Sequence, residues 1–296
     1  MQAGEPVIKV SPQWKSKIRS LAPDLPSAKP KAKRKILVFS LMTGYHHWVT
    51  PNTAAMIKIL GEKSGAYETV DSIDVEMFSV DKLKAFDAVI LNNTCSKPDH
   101  RNLFMDARGA EKSNEVRALE DSLISFVKSG KGLIVIHAGI TTFNGCPEIV
   151  DMFGGTFDFH PPQQPVTLYP VEAGHPLVKA FGGKSFVHID EPYMFNGACK
   201  KNNSRPLLVM DTTKLKCGRL KKKVMSEARY VSWIKSYGKG RVFFCSPSHN
   251  AQSFSDPRLL RFYLDGFQYA LGDLDCDDSP IHTKHGKAPT DNLVAD

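Results

Sequence analysis

Three short apolar runs constrain this chain more than any other feature: Ile36-Leu37-Val38-Phe39, Ala88-Val89-Ile90-Leu91 and Gly132-Leu133-Ile134-Val135-Ile136. None alternates with polar residues, so each reads as a strand buried on both faces, as in a parallel sheet. Helical patterning fills the gaps. Pro51 suits the first turn of a helix that carries Ala54, Ile57, Ile59 and Leu60 inward. Val116, Leu119, Leu123, Phe126 and Val127 recur at helical spacing and stop at Ser129-Gly130. This alternation predicts an α/β fold with a doubly wound, mostly parallel sheet and helices on both faces. Ligands of such sheets lie beyond the carboxyl ends of the strands. The third run ends there in His137, followed by Ala138 and Gly139. An imidazole thus stands where α/β folds present a reactive group, with neither Ser nor Cys beside it.

After Pro147 the pattern turns strand-rich. Val166–Tyr169, Phe186–Ile189, Leu207–Met210, Tyr230–Ile234 and Val242–Cys245 read as strands, and Pro257–Leu271 as a closing helix. These strands either extend the sheet or form an excursion that covers it. No internal repeat and no second independent domain are visible. The expected division is a disordered basic Pro/Lys-rich lead-in over 1–34, one domain over 35–275 and a flexible tail over 276–296.

The net charge of +8 is concentrated in that lead-in. Residues 1–35 hold nine basic side chains against Glu5 and Asp24, which is +7, so the remainder is close to neutral. A second basic cluster, Lys214–Lys223, reads as a solvated loop. No nucleic-acid partner is expected, and no apolar stretch reaches the length of a membrane span. The six cysteines are scattered without a CxxC pair, which points to free thiols in a reducing compartment, the cytoplasm. Met1–Val10 shows no apolar core of an export signal, and a leader already removed stays open.

Polar groups gather at the predicted strand ends: Gly44-Tyr45-His46-His47, Asn92-Asn93-Thr94 and His137, then His160, His175-Pro176, Asp190-Glu191-Pro192-Tyr193 and Ser246-Pro247-Ser248-His249. Imidazole and carboxylate are the groups that move protons near neutral pH. Each also has a bland reading. A strand-end His is as often a hydrogen-bonded structural residue, His175-Pro176 suits a turn, and Asp190-Glu191 suits a helix cap or surface charge. At most one of His46 and His47 faces a cleft. The spacing matches no compact metal motif such as HExxH, so no cofactor is expected. A divalent metal remains open, and needs at least two of His47, His137, His160, Glu191 and His249 within ligand distance.

Taken in order, these motifs resemble the ThuA-like (trehalose utilisation) family, a branch of the class I glutamine amidotransferase-like superfamily. The resemblance runs from about Lys35 to Asp275. It rests on Gly44, Tyr45 and His47, on Asn93-Thr94, His137-Ala138 and Gly154-Gly155 leading to His160, and on His175-Pro176. It continues through Asp190, Glu191 and Tyr193, Trp233, the segment Tyr237–Phe243 and His249. It implies a flavodoxin-like sheet. Where amidotransferase relatives carry a Cys nucleophile, this chain has His137-Ala138, so glutamine hydrolysis through a thioester is not expected. The chain also departs from the family pattern at Gly139-Ile140-Thr141, at Phe159 and at Pro247-Ser248.

The resemblance implies carbohydrate metabolism: an isomerase, lyase or hydrolase acting on a sugar or keto-glycoside by His/Glu acid–base chemistry. His47, His137, Glu191 and His249 are the expected catalytic groups. Gly44, Tyr45, Asn93, Thr94, His160, Asp190 and Tyr193 are expected to bind substrate. The alternative is a non-catalytic carbohydrate-binding or assembly protein on the same scaffold. The expected partner is a small-molecule sugar, with a homo-oligomer left open.

Overall fold

The computed structural model describes residues 6–197, 203–221, 224 and 230–281. The three apolar runs form β1 (Lys35–Phe39), β3 (Ala88–Asn92) and β4 (Gly132–Ile136). With β2 (Glu68–Ser72) and β11 (Gly240–Cys245) they make a parallel block in the order β2-β1-β3-β4-β11. The later strands extend this sheet: β10 (Tyr230–Tyr237), β9 (Arg205–Asp211), β6 (Gln164–Pro170) and β7 (Phe186–Asp190) follow β11 in that order, each antiparallel to its neighbour. Only β6 and β10 therefore run against the other seven strands of the mixed α/β sheet. A separate pair, β5 (Thr156–Phe159) and β8 (Met194–Asn196), supplies the covering excursion.

Both faces of the block are covered. On β11, Phe243 meets Phe262 and Phe267 of the closing helix, while Phe244 meets Trp233 and Phe195 on the opposite side. The main helices are α2 (Thr50–Ser64), α5 (Ser113–Lys128) and α7 (Pro257–Ala270). Shorter ones are α3 (Val80–Leu83), α4 (Leu103–Arg108) and α6 (Pro147–Phe153). The antiparallel half curls back. The Asn250 side-chain amide donates to the Ile189 carbonyl at 2.9 Å, and His188 Nδ1 lies 3.0 Å from Ser253 Oγ. Strand β7 thus returns to the loop leaving β11, although β10, β9 and β6 separate them in the sheet. This curl carries the end of β7 to the ends of β4 and β11.

The disordered lead-in is corrected over its described part. Ser11 caps α1 (Pro12–Leu21) by accepting the Trp14 N–H at 3.1 Å, and Trp14 and Ile18 bury one face of this helix on the core. The strap that follows is pinned to α7 and its end. Ser27 N–H donates to Gln268 at 2.8 Å, Ser27 Oγ to Asp265 at 2.7 Å, and Arg34 pairs with Asp273 at 2.6 Å. Composition suggested disorder, but two large apolar residues at helical spacing and buried polar partners overrule it. Of the expected flexible tail, 276–281 is described and held in part, since the Asp277 carboxylate meets Arg205 at 2.7 Å. Residues 282–296 lie outside the described residues, as do Cys199 and positions 222 and 223 of the second basic cluster, whose Lys214 is exposed. Among the described residues no helix is long and apolar enough to cross a membrane.

Candidate functional site

The site begins in the loop after β1. Gly44 donates its N–H to the Cys95 carbonyl at 3.0 Å, and a Cβ there would collide with the Ser96 carbonyl. This close approach sets the turn Tyr45-His46-His47, in which His46 is exposed and His47 buried. One imidazole of the pair turns inward.

At the ends of β3 and β4 the backbone is strained. Asn93 and His137 adopt φ of 51° and 45°, a region non-glycine residues rarely enter. Gly139 makes the elbow feasible, because a Cβ there would lie 2.8 Å from the Leu91 carbonyl of β3. His137 Nδ1 lies 2.9 Å from the Ser246 carbonyl. A carbonyl only accepts, so Nδ1 carries the proton and Nε2 keeps a free lone pair.

That lone pair faces a cluster. His137 Nε2 is 3.3 Å from His249 Nδ1 and 3.5 Å from Glu191 Oε2, and these last two are 3.1 Å apart. The His47 ring stands edge-on to those of His137 and His249, at 5.3 and 5.5 Å between centroids. One ligating atom from each of His47, His137, Glu191 and His249 lies within 4.8 Å of the others. Burial drives His47 down to about 2 and His137 to about 4, so both are neutral at pH 7. Burial alone would raise Glu191, but the adjoining imidazoles of His137 and His249 hold it well below the usual carboxylate range. Burial lowers His249 less than the Glu191 carboxylate raises it, and it stays above its ordinary value.

This donor set suits a divalent ion. Four ligands about 2.1 Å from a tetrahedral centre stand about 3.4 Å apart. The separations of 3.1, 3.3 and 3.5 Å bracket that spacing. In addition, His47 Nδ1 is buried without a hydrogen-bond partner, a deficit that folds do not usually leave in place.

Tyr193 roofs the cluster. Its ring stacks on His137 at 4.2 Å and on His160 at 5.4 Å, with Phe157 of β5 against it at 4.6 Å. His160 Nε2 lies 3.7 Å from Glu191 Oε1, the carboxylate oxygen turned away from His137. Tyr45 is exposed and edge-on to His47 at 4.8 Å.

Other expected residues point elsewhere. Asn93 donates to Thr53 Oγ1 at 3.2 Å and to Asn92 Oδ1 at 3.3 Å, while Thr94 Oγ1 pairs with Thr142 Oγ1 at 3.0 Å. Asp190 accepts the Glu191 N–H at 2.8 Å and lies 3.5 Å from His188; burial pushes its carboxyl up to about 7. Gly44 contributes backbone alone. His175 caps a turn, accepting the Leu177 N–H at 3.3 Å and facing the Asp277 carbonyl. The sequence reading missed the Ser246 carbonyl, which leaves no residue-type signal. It also missed Phe157 of β5, an aromatic residue that nothing in the sequence singled out.

A mixed α/β sheet with a His/Glu cluster at its carboxyl edge and no nucleophile at the elbow defines a flavodoxin-like class of protein with an imidazole-carboxylate site. The chain belongs to the ThuA family, described as trehalose utilisation, whose profile matches residues 35–270. Solved structures agree on the fold. A ThuA-like protein from Bacteroides uniformis is 19% identical with a TM-score of 0.61, covering 83% of this chain and 94% of its own. One from Parabacteroides merdae is 19% identical with a TM-score of 0.58, covering 86% and 97%. A cytoplasmic protein from Salmonella typhimurium is 12% identical at a TM-score of 0.52, covering 80% and 99%. These likenesses fit a flavodoxin-like fold. No functionally curated protein matches the chain.

Proposed function

We propose that this protein is an enzyme that isomerises, eliminates from or hydrolyses a sugar or keto-glycoside, with a divalent metal ion held by His47, His137, Glu191 and His249. One observation carries the proposal: the convergence of three imidazoles and one carboxylate, one ligating atom of each within 4.8 Å of the others. When bound, such an ion would polarise a carbonyl or hydroxyl of the substrate. The remaining work falls to the chain itself. The Ser246 carbonyl fixes the His137 tautomer. Tyr193 excludes water from one face of the cluster. His160 is only partly buried and meets the outer oxygen of Glu191, so it is placed to pass a proton to and from solvent.

His137-Ala138 at the elbow offers no nucleophile, which argues against glutamine amidotransferase chemistry. The family description, trehalose utilisation, supports a carbohydrate substrate. A keto group would acidify the adjacent C–H and make proton transfer by an imidazole or carboxylate sufficient. The free thiols of Cys95, Cys146, Cys217, Cys245 and Cys276 support a reducing, cytoplasmic setting. The proposed partner is a small-molecule sugar rather than a nucleic acid or membrane.

The test is time-resolved NMR of the purified chain with trehalose and with its 3-keto derivative, alongside His137→Ala and metal analysis of chelator-free protein. New sugar resonances with wild type alone, from protein carrying about one metal per chain, are expected from a four-ligand site. Sugar binding without a product would move the assignment to a non-catalytic carbohydrate-binding protein. Turnover by metal-free protein would leave the same four residues as an acid–base set.

A further inference from the structure

Among the described residues, three non-glycine positions take a positive φ: Asn93, His137 and Arg101. The first two stand at strand ends of the site. Arg101 stands in the turn after β3 with φ 48°, where its N–H donates to the Lys97 carbonyl at 3.1 Å and its own carbonyl accepts the Gly145 N–H at 3.5 Å. Such backbone persists where its surroundings over-determine it, and it concentrates at functional sites.

The side chain supplies an independent observation. The Arg101 guanidinium lies 5.7 Å above the Phe157 ring. Phe157 packs on Tyr193, and Tyr193 on His137. Arg101 is thus joined to the aromatic roof of the His/Glu cluster. Among the described residues no carboxylate forms an ion pair with it. By contrast, Arg19, Arg34, Arg108, Arg117, Arg205, Arg241, Arg258 and Arg261 each have one, and of the other described arginines Arg219, far along the chain in a separate loop, shares the lack. Lys97 and His100 of the same turn are exposed, with Asp99 the one acidic residue among them.

We infer that Arg101 binds an anionic group, a carboxylate or phosphate, so that an acidic sugar binds more tightly than its neutral counterpart. This rests on the sugar reading above and narrows it. A guanidinium over an aromatic ring keeps its N–H donors available, and two parallel N–H donors match two oxygens of either anion. An ammonium on a flexible stem would not be oriented in this way.

Titration calorimetry of the full chain with D-glucuronate, D-glucose 6-phosphate and D-glucose tests the inference, using wild type, Arg101→Asn and Arg101→Lys. Asn tolerates the left-handed backbone, so the first variant removes the charge without disturbing the turn. Wild type is expected to bind at least one charged sugar roughly tenfold more tightly than glucose. Arg101→Asn should abolish that preference and leave glucose binding unchanged, and Arg101→Lys should retain part of it. Whichever charged sugar leads identifies carboxylate or phosphate as the source. Equal affinity for glucose in wild type, or a preference that survives in Arg101→Asn, overturns the inference while leaving the sugar reading intact. Failure of all three sugars to bind overturns both.

Discussion

Replacing Asp265 by Asn tests whether the N-terminal strap is part of the fold. Asp265 is buried on α7, accepts the Ser27 hydroxyl of the strap at 2.7 Å, and has Arg261 no nearer than 3.6 Å. Burial outweighs both partners and pushes its carboxyl up from 3.8 to about 6. The folded chain therefore keeps a proton that the unfolded chain releases between those values. The resulting stabilisation is full below the unfolded pKa and is lost as pH rises through the folded one. A shift of about two units corresponds to roughly 3 kcal/mol in all, of which about 2 kcal/mol falls between pH 4.5 and 7.5. Asn keeps the acceptor for Ser27 and cannot ionise. Urea denaturation of both chains at the two pH values should show Asp265→Asn gaining about 2 kcal/mol on wild type at the higher pH. Comparing the two chains cancels the titration of the site histidines. A mutant-to-wild-type difference that is the same at both pH values would refute the reasoning, because it would mean that Asp265 is solvated and the strap is not closed over it.

Trp14→Ala should cost about 3 kcal/mol in the same denaturation assay, as for a buried aromatic, whereas a disordered lead-in would give a change near zero. Gly139→Ala drives a Cβ toward the Leu91 carbonyl at the elbow, so it should destabilise the fold by about 1–3 kcal/mol and reduce metal content, read by calorimetry and mass spectrometry. His47→Ala should lower metal content in native mass spectrometry, while His46→Ala, on the exposed neighbour, should leave it at the wild-type level.

The core was legible because strands buried on both faces are written as unbroken apolar runs, and helices as residues recurring every third or fourth position. Strand β2, Glu-Thr-Val-Asp-Ser, was not legible: it is an edge strand, partly exposed, with no apolar run to mark it. Helix α1 hid in a basic, proline-rich stretch whose composition outvoted Trp14 and Ile18. The site was legible as a list of polar residues at strand ends, but not as a geometry. Asn93 and Glu191 carry similar sequence signals, yet the fold turns the first toward Thr53 and the second into the cluster.

By itself, the sequence determined the central strands β1, β3 and β4 of the parallel block, the histidine at the end of β4 and the absence of a nucleophile beside it. All three follow from residue type and local period. Only the tertiary structure decided that His47, His137, Glu191 and His249 share one buried point. Glu191 directly follows the edge strand β7, and it reaches His137 because the antiparallel strands curl that edge back over the end of β11. Curl of this kind arises from twist and packing summed over many strands, so no single segment records it.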